Sequence, residues 1–369
     1  MEDKNSKSDL KKLNLVLKDI DNIKKKLNKR NEIKYHQEEI TAVGIFQSGN
    51  IVVASCDGNL TIWDTTFKLM DKKEMGQEFI VSSIYIIDQV SFYTGSIFGH
   101  VQLWKEKKKI TLNKNKITFE NELIYIKERK YSQPIHNDRI QRIILCDKNL
   151  YTCSLDCFIK ITYIEQNYSV IKELTIEENK DREMDIRFPI YTILYIQDFK
   201  FLFASGKTGT YLWNSDFEKK KICDEEAYEN SLQIFEKTED SIKVICGYKN
   251  IIIICVDKNQ EKVTQELKIE NIDYKCYCIC VTKIKNEIIF ITGEYLSDED
   301  EENYKIRFYC KNKEKYEVIC FYDFTHKGLI NGILNYGNCL LTFSADGRIK
   351  IWDYPLELKF EESQFQIKN

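Results

Sequence analysis

Short alternating apolar runs, each closed by turn residues, recur along most of the chain. Examples are "GNIVVAS", "QVSFYTGS", "FKFLFASG" and "GNCLLTFS". Each is followed by a tight turn and a second alternating run, as two half-buried strands of a hairpin require. Five second runs align without gaps: Ser55–Asp64 "SCDGNLTIWD", Ser96–Lys105 "SIFGHVQLWK", Ser154–Tyr163 "SLDCFIKITY", Ser205–Asn214 "SGKTGTYLWN" and Ser344–Asp353 "SADGRIKIWD". One position in this register holds Trp63, Trp104, Thr162, Trp213 or Trp352, so all four tryptophans of the protein fall on it. Two weaker units, Val244–Val256 and Ile288–Cys310, complete a series of seven, with strand ends near 63, 104, 162, 213, 254, 308 and 352. A period of about 40 to 60 residues is that of four-stranded propeller blades.

Residues 9 to 31 follow a different period. Leu10, Leu17 and Lys24 lie seven apart, as do Leu13, Ile20 and Leu27, and Val16 and Ile23 widen the stripe. This spacing predicts an amphipathic helix, with Ser8 as its N-cap and Lys and Arg on the other faces. Such a stripe must pack on something. The alternatives are its own propeller, a coiled coil with a partner or a second copy, and an acidic or membrane surface. Two segments follow: 1–32, a partner-docking helix, and 33–369, the propeller.

Composition agrees with a sheet-rich, packed chain: 43% hydrophobic, 12% aromatic, and only 3 Pro. A net charge of −3 gives no electrostatic reason to expect direct nucleic-acid contact. The longest apolar run, Ile251–Val256, is too short for a membrane span. The 13 Cys form no compact framework, which suits reduced thiols inside a cell, in the cytoplasm or alternatively the nucleus.

At these residues the chain resembles the WD-repeat family of β-propellers. "IWD" occurs at Ile62–Asp64 and Ile351–Asp353, and His36, His136 and His326 stand 26 or 27 residues before the Trp position. The resemblance implies a seven-bladed WD-repeat β-propeller with an N-terminal amphipathic α-helix. It also implies structural hydrogen-bonded sets in the blades: His36, Ser55, Asp57 and Trp63; His326, Ser344, Asp346 and Trp352; and His136, Ser154 and Asp156 without the Trp. The strand completing the last blade is either Ile33–His36 or Pro355–Glu362. A helix ahead of seven blades is similar in architecture to the β subunit of heterotrimeric G proteins. The function implied is a non-catalytic scaffold or adaptor that binds other proteins through its faces and through Leu10, Leu13, Leu17, Ile20, Ile23 and Leu27. Alternatives are a substrate receptor of a ubiquitin ligase and a subunit of an RNA-processing or ribosome-assembly particle. The oligomeric state is left open.

Candidate chemistry is sparse. Gly206-Lys207-Thr208 ends like a phosphate-binding loop, yet Phe201 stands where the first Gly belongs and a strand pattern follows instead of a helix. Cys276, Cys278 and Cys280 alternate in "CYCIC", which on a regular strand places them on one face as small hydrophobes instead of a metal set. The His–Asp–Ser sets lack an oxyanion pocket, so no catalytic residue, metal or cofactor is assigned. Ser297, ahead of the acidic run 298–302, matches an acidophilic phosphorylation site.

Overall fold

The computed structural model describes residues 29–354 apart from 114–115, 128–133, 167, 177–187, 226, 229, 259–262, 271–273, 285–286, 298–301, 313–314 and 323–324. The stripe residues Leu10, Leu13, Leu17, Ile20, Ile23 and Leu27 lie outside the described residues, as does Pro355–Glu362.

Strands group into seven antiparallel four-stranded sheets. The inner strands are Ile40–Ile45, Val81–Ile86, Ile140–Cys146, Ile190–Ile196, Leu232–Lys237, Lys275–Ile284 and Ile330–Tyr336. Each touches the inner strand of the next sheet, and the last touches the first, so the sheets close into a ring of seven blades. The core is correspondingly divided. Seven apolar clusters fill the seven wedges between neighbouring blades, for example Ile51, Val53 and Trp63 of blade one against Leu341, Phe343 and Ile349 of blade seven. A blade therefore buries both of its faces, which is why second strands such as Phe201–Gly206 are apolar or small throughout and buried at every position.

Ring closure comes from the N-terminal side. Lys29–Ile33 is the outer strand of blade seven and pairs with Ile349–Trp352 of the third strand. The expected boundary between 32 and 33 falls inside this strand, and Lys29 and Arg30, expected on the helix, are extended. Local helix propensity is weaker than an open sheet edge that offers a ladder of hydrogen bonds and a site for Ile33 in the wedge. His36, at the end of the stretch expected to supply the strand, instead lies in the loop leading to blade one. A polar clasp accompanies the pairing: Glu32 is 3.0 Å from Arg348, 2.6 Å from Lys29 and 3.3 Å from Lys34. Burial raises the Glu32 carboxyl, but the three cations outweigh it and hold it at about 2.

Two further details differ from the sequence pattern. A bulge between Cys276 and Cys278 shifts the strand by one residue, so Cys276 faces the blade five side while Cys278 and Cys280 face blade seven. The three sulfurs therefore do not share a face. Burial pushes the Cys276 and Cys278 thiols far up and Cys280 up to about 12. In blade four, "SGKT" is a hairpin turn between Phe201–Gly206 and Gly209–Trp213, with no helix. The turn is one residue shorter than in blades one and seven, because Gly206, not Ser205, pairs with the first residue of its inner strand.

Candidate functional site

The register within the blades decides which side chains meet. In blade seven, Trp352 pairs with Leu340, and Thr342 lies two residues further along the second strand on the same side. Trp352 Nε1 donates to Thr342 Oγ1 at 2.9 Å, Thr342 Oγ1 is 2.8 Å from His326 Nε2, and His326 Nδ1 is 3.0 Å from Asp346 Oδ2. An indole N–H can only donate and a carboxylate can only accept, so the direction is forced. The Thr hydroxyl receives from Trp and donates to Nε2, and Nδ1–H donates to Asp346. Burial lowers the His326 pKa, which keeps the imidazole neutral. Burial raises the Asp346 carboxyl, but its bond to His326 and the Lys327 N–H outweigh this and hold it at about 2.

Blade one builds the same chain with one part moved. Val53 occupies the Thr342 position, and Thr61, directly across the ladder from it, supplies the hydroxyl. His36 Nε2 and Trp63 Nε1 each lie 2.9 Å from Thr61 Oγ1, and His36 Nδ1 is 2.8 Å from Asp57. Blade three joins His136 to Asp156 at 2.9 Å and to Thr152 at 2.7 Å, with Thr162 in the Trp place. Blade two keeps only Thr94 and Trp104, 2.9 Å apart.

The strand-end serines do something else. Ser55, Ser154 and Ser344 donate to the carbonyls of Glu38, Asp138 and Gly328 and accept the N–H of Asp57, Asp156 and Asp346. They pin the turn to the incoming loop and stand outside the His–Trp chain; the threonines that carry it were not singled out from sequence. The turn position after the Asp is left-handed, at φ 76° and 73° for Gly58 and Gly347, and Cys157 takes it at 77° in blade three.

Blades five and six lack this chain. In blade five the Trp place falls to Val256, opposite Ile242, with Val244 and Ile254 beside them. In blade six it falls to Tyr309, stacked on Phe290 at 4.6 Å. Thr292 and Tyr309 both donate to Glu294 Oε1, at 2.6 and 3.1 Å, and Arg307 Nε is 3.2 Å from Glu294 Oε2. Arg307 also lies over the Tyr274 ring. Ser297 ends the second strand of this blade, paired in register with Glu302 across residues 298–301, which lie outside the described residues.

The loops entering the inner strands converge on one face of the ring. There a hollow of about 180 Å³ is lined by Glu39, Arg139, Tyr228, Tyr277, Leu329 and Asn331. Its floor is a hydrogen-bonded relay across the axis: Asn230 Nδ2 donates to the Asn331 carbonyl at 2.7 Å, and Asn331 Nδ2 donates to Glu39 at 2.7 Å. Tyr228 stacks on Tyr191 at 4.8 Å and packs on Tyr248 and Tyr277, and Tyr277 leads on to Tyr295. Burial raises the Tyr277 hydroxyl pKa, so it stays a neutral donor. None of these mouth residues was singled out from sequence, because they come from five blades and are joined only by closure. Among the described residues no cluster suits a metal ion, and no helix is long and apolar enough to cross a membrane.

The family model described as "WD domain, G-beta repeat" matches residues 28–64 and 319–353. No curated protein matches the chain. Among solved structures, a chain of the "Crystal Structure of Mitotic Checkpoint Complex" is 10% identical, with a TM-score of 0.63 over 88% of this chain and 95% of that one. The β-propeller domain of Myceliophteria thermophila Cps50 (Swd1) is 13% identical, with a TM-score of 0.62 over 89% and 99%. The WD40 β-propeller domain of Doa1 is 13% identical, with a TM-score of 0.56 over 90% and 98%. At such identities the likeness is one of fold.

Proposed function

The chain is a WD-repeat β-propeller, and from that premise we propose that it is a non-catalytic scaffold whose tyrosine-lined mouth binds an extended segment of a partner protein. Propellers of this kind generally act as interaction platforms. The observation that carries the reading is the mouth itself. Aromatic rings supply large contact area at little entropic cost, while Glu39, Arg139 and Asn331 offer charged and amide partners for a peptide backbone and its side chains. The relay beneath them fixes the floor, so a ligand meets a preorganised surface. The stripe from Leu10 to Leu27 adds a second docking element in this reading. Lys29–Ile33 anchors it to blade seven, so removal of residues 1–28 tests it without opening the ring.

A display library of unstructured peptides, selected on the full chain, tests the mouth. Selected peptides are expected to lose at least about tenfold in affinity with Tyr277→Ala or Arg139→Ala, and to be unchanged by Lys220→Ala on the outer strand of blade four. Binding that survives both mouth substitutions in a folded protein contradicts the proposal.

A further inference from the structure

Thirteen cysteines are spread over the ring, and one pair stands apart from the rest. Cys223 ends the outer strand of blade four, half-buried, and Cys246 lies in the second strand of blade five, fully buried. Both belong to the wedge between these two blades. Cys223 pairs in register with Thr210, and the Thr210 hydroxyl lies 3.9 Å from Cys246 Sγ. The Cys246 thiol hydrogen-bonds Cys223, and the Glu225 backbone N–H points at Cys223 Sγ from 3.2 Å. We propose that Cys223 and Cys246 form a peroxide-sensitive disulfide site that joins blade four to blade five.

The surroundings assign the two roles. Two donors converge on Cys223, one a thiol and one a backbone N–H, as a thiolate requires. Hydrogen bonding from Cys246, aided by the Glu225 N–H, outweighs burial and brings the Cys223 thiol below its ordinary value. Cys246 moves the opposite way, raised by its bond to Cys223 and by burial, so it holds its proton. The other half-buried cysteines contrast with Cys223. Burial, joined by nearby carboxylates, pushes Cys56, Cys146 and Cys255 up, and Cys310 up to about 11.

The chemistry balances with a hydroperoxide as oxidant. The Cys223 thiolate attacks the peroxide oxygen; the S–O bond forms, the O–O bond breaks, and hydroxide takes a proton from solvent. Cys246 sulfur then attacks the sulfenic sulfur of Cys223. The S–S bond forms, the S–O bond breaks, and the departing hydroxide leaves as water with the Cys246 proton. Two thiols are oxidised by two electrons, and the peroxide is reduced. The bond would sit at the start of the connection that carries Tyr228 and Asn230 to the mouth, and would form whether or not the mouth binds a peptide.

Peptide mapping of the full chain after brief treatment with hydrogen peroxide tests the site. Trypsin releases Cys223 in Ile222–Lys237 and Cys246 in Val244–Lys249. Expected are these two peptides linked and lighter by two hydrogens, and alkylation of Cys223 at least about tenfold faster than of Cys56 or Cys146 before oxidation. In Cys246→Ser, Cys223 is expected to give a dimedone adduct instead. The proposal is overturned if the linked pair is absent from the wild-type digest, or if Cys223 is alkylated no faster than Cys56 and Cys146; neither reading depends on a variant folding.

Discussion

Blades six and seven are neighbours that solve one packing problem with different residues. In each, a second-strand Thr and a third-strand aromatic meet in the wedge: Thr342 with Trp352, and Thr292 with Tyr309. The donors they present must end on an acceptor. Blade seven ends them on a neutral imidazole backed by Asp346, brought in by the loop from blade six. Blade six ends them on Glu294, supplied by its own second strand at the place of Ser344, with Arg307 as counter-charge at the place of Lys350. The fold thus fixes a demand at a position, and several residue sets meet it. Blade five avoids the demand by keeping the whole position apolar.

The largest effect separating these solutions is expected from charge removal. Glu294→Gln leaves the Arg307 guanidinium without its counter-ion in a buried setting and should cost about 3 kcal/mol. Asp346→Asn faces only a neutral ring and should cost about 1 kcal/mol, the worth of an ordinary hydrogen bond. Urea unfolding of both variants at pH 7 checks the order; an Asp346→Asn loss exceeding that of Glu294→Gln would reverse the assignment of ionic and neutral closures.

A smaller and graded effect should follow pH. The folded pKa of His326 lies below 6.5, so the unfolded chain binds more protons and stability declines as pH falls below that value. Asp346 and Glu32 sit at about 2, against 3.8 and 4.5 unfolded, so their contributions persist above those values and are lost as pH falls towards 2. Urea midpoints should therefore decrease steadily from pH 7 downward. A midpoint that rises between pH 7 and 5 would contradict a neutral His326.

This comparison also explains what could be read in the sequence. Blades one and seven announce themselves because their solution uses Trp, Asp and His at fixed spacing, and the alternation around each Trp places the strands. Blade six hides the same architecture, since Tyr309 and Glu294 satisfy the position without matching the pattern. Thr61 escaped notice because the ladder, not the chain order, makes it equivalent to Thr342. A one-residue bulge at Cys276 is invisible to a period-two count. The mouth and the Cys223–Cys246 pair exist only once separate blades are brought side by side. Lys29–Ile33 reads locally as the end of a helix, and only an open edge more than 300 residues away in the chain makes it a strand.

The smallest net change is expected where the demand is met from the other strand. Thr61→Val should cost about 2 kcal/mol, because Trp63 N–H and His36 Nε2 both lose their partner. Adding Val53→Thr returns a hydroxyl to the place where blade seven carries Thr342. A double-mutant cycle by urea unfolding should then show most of the loss recovered, with Val53→Thr alone giving little gain. If the double variant is as unstable as Thr61→Val, the position does not set the demand, and the equivalence drawn between the blades fails.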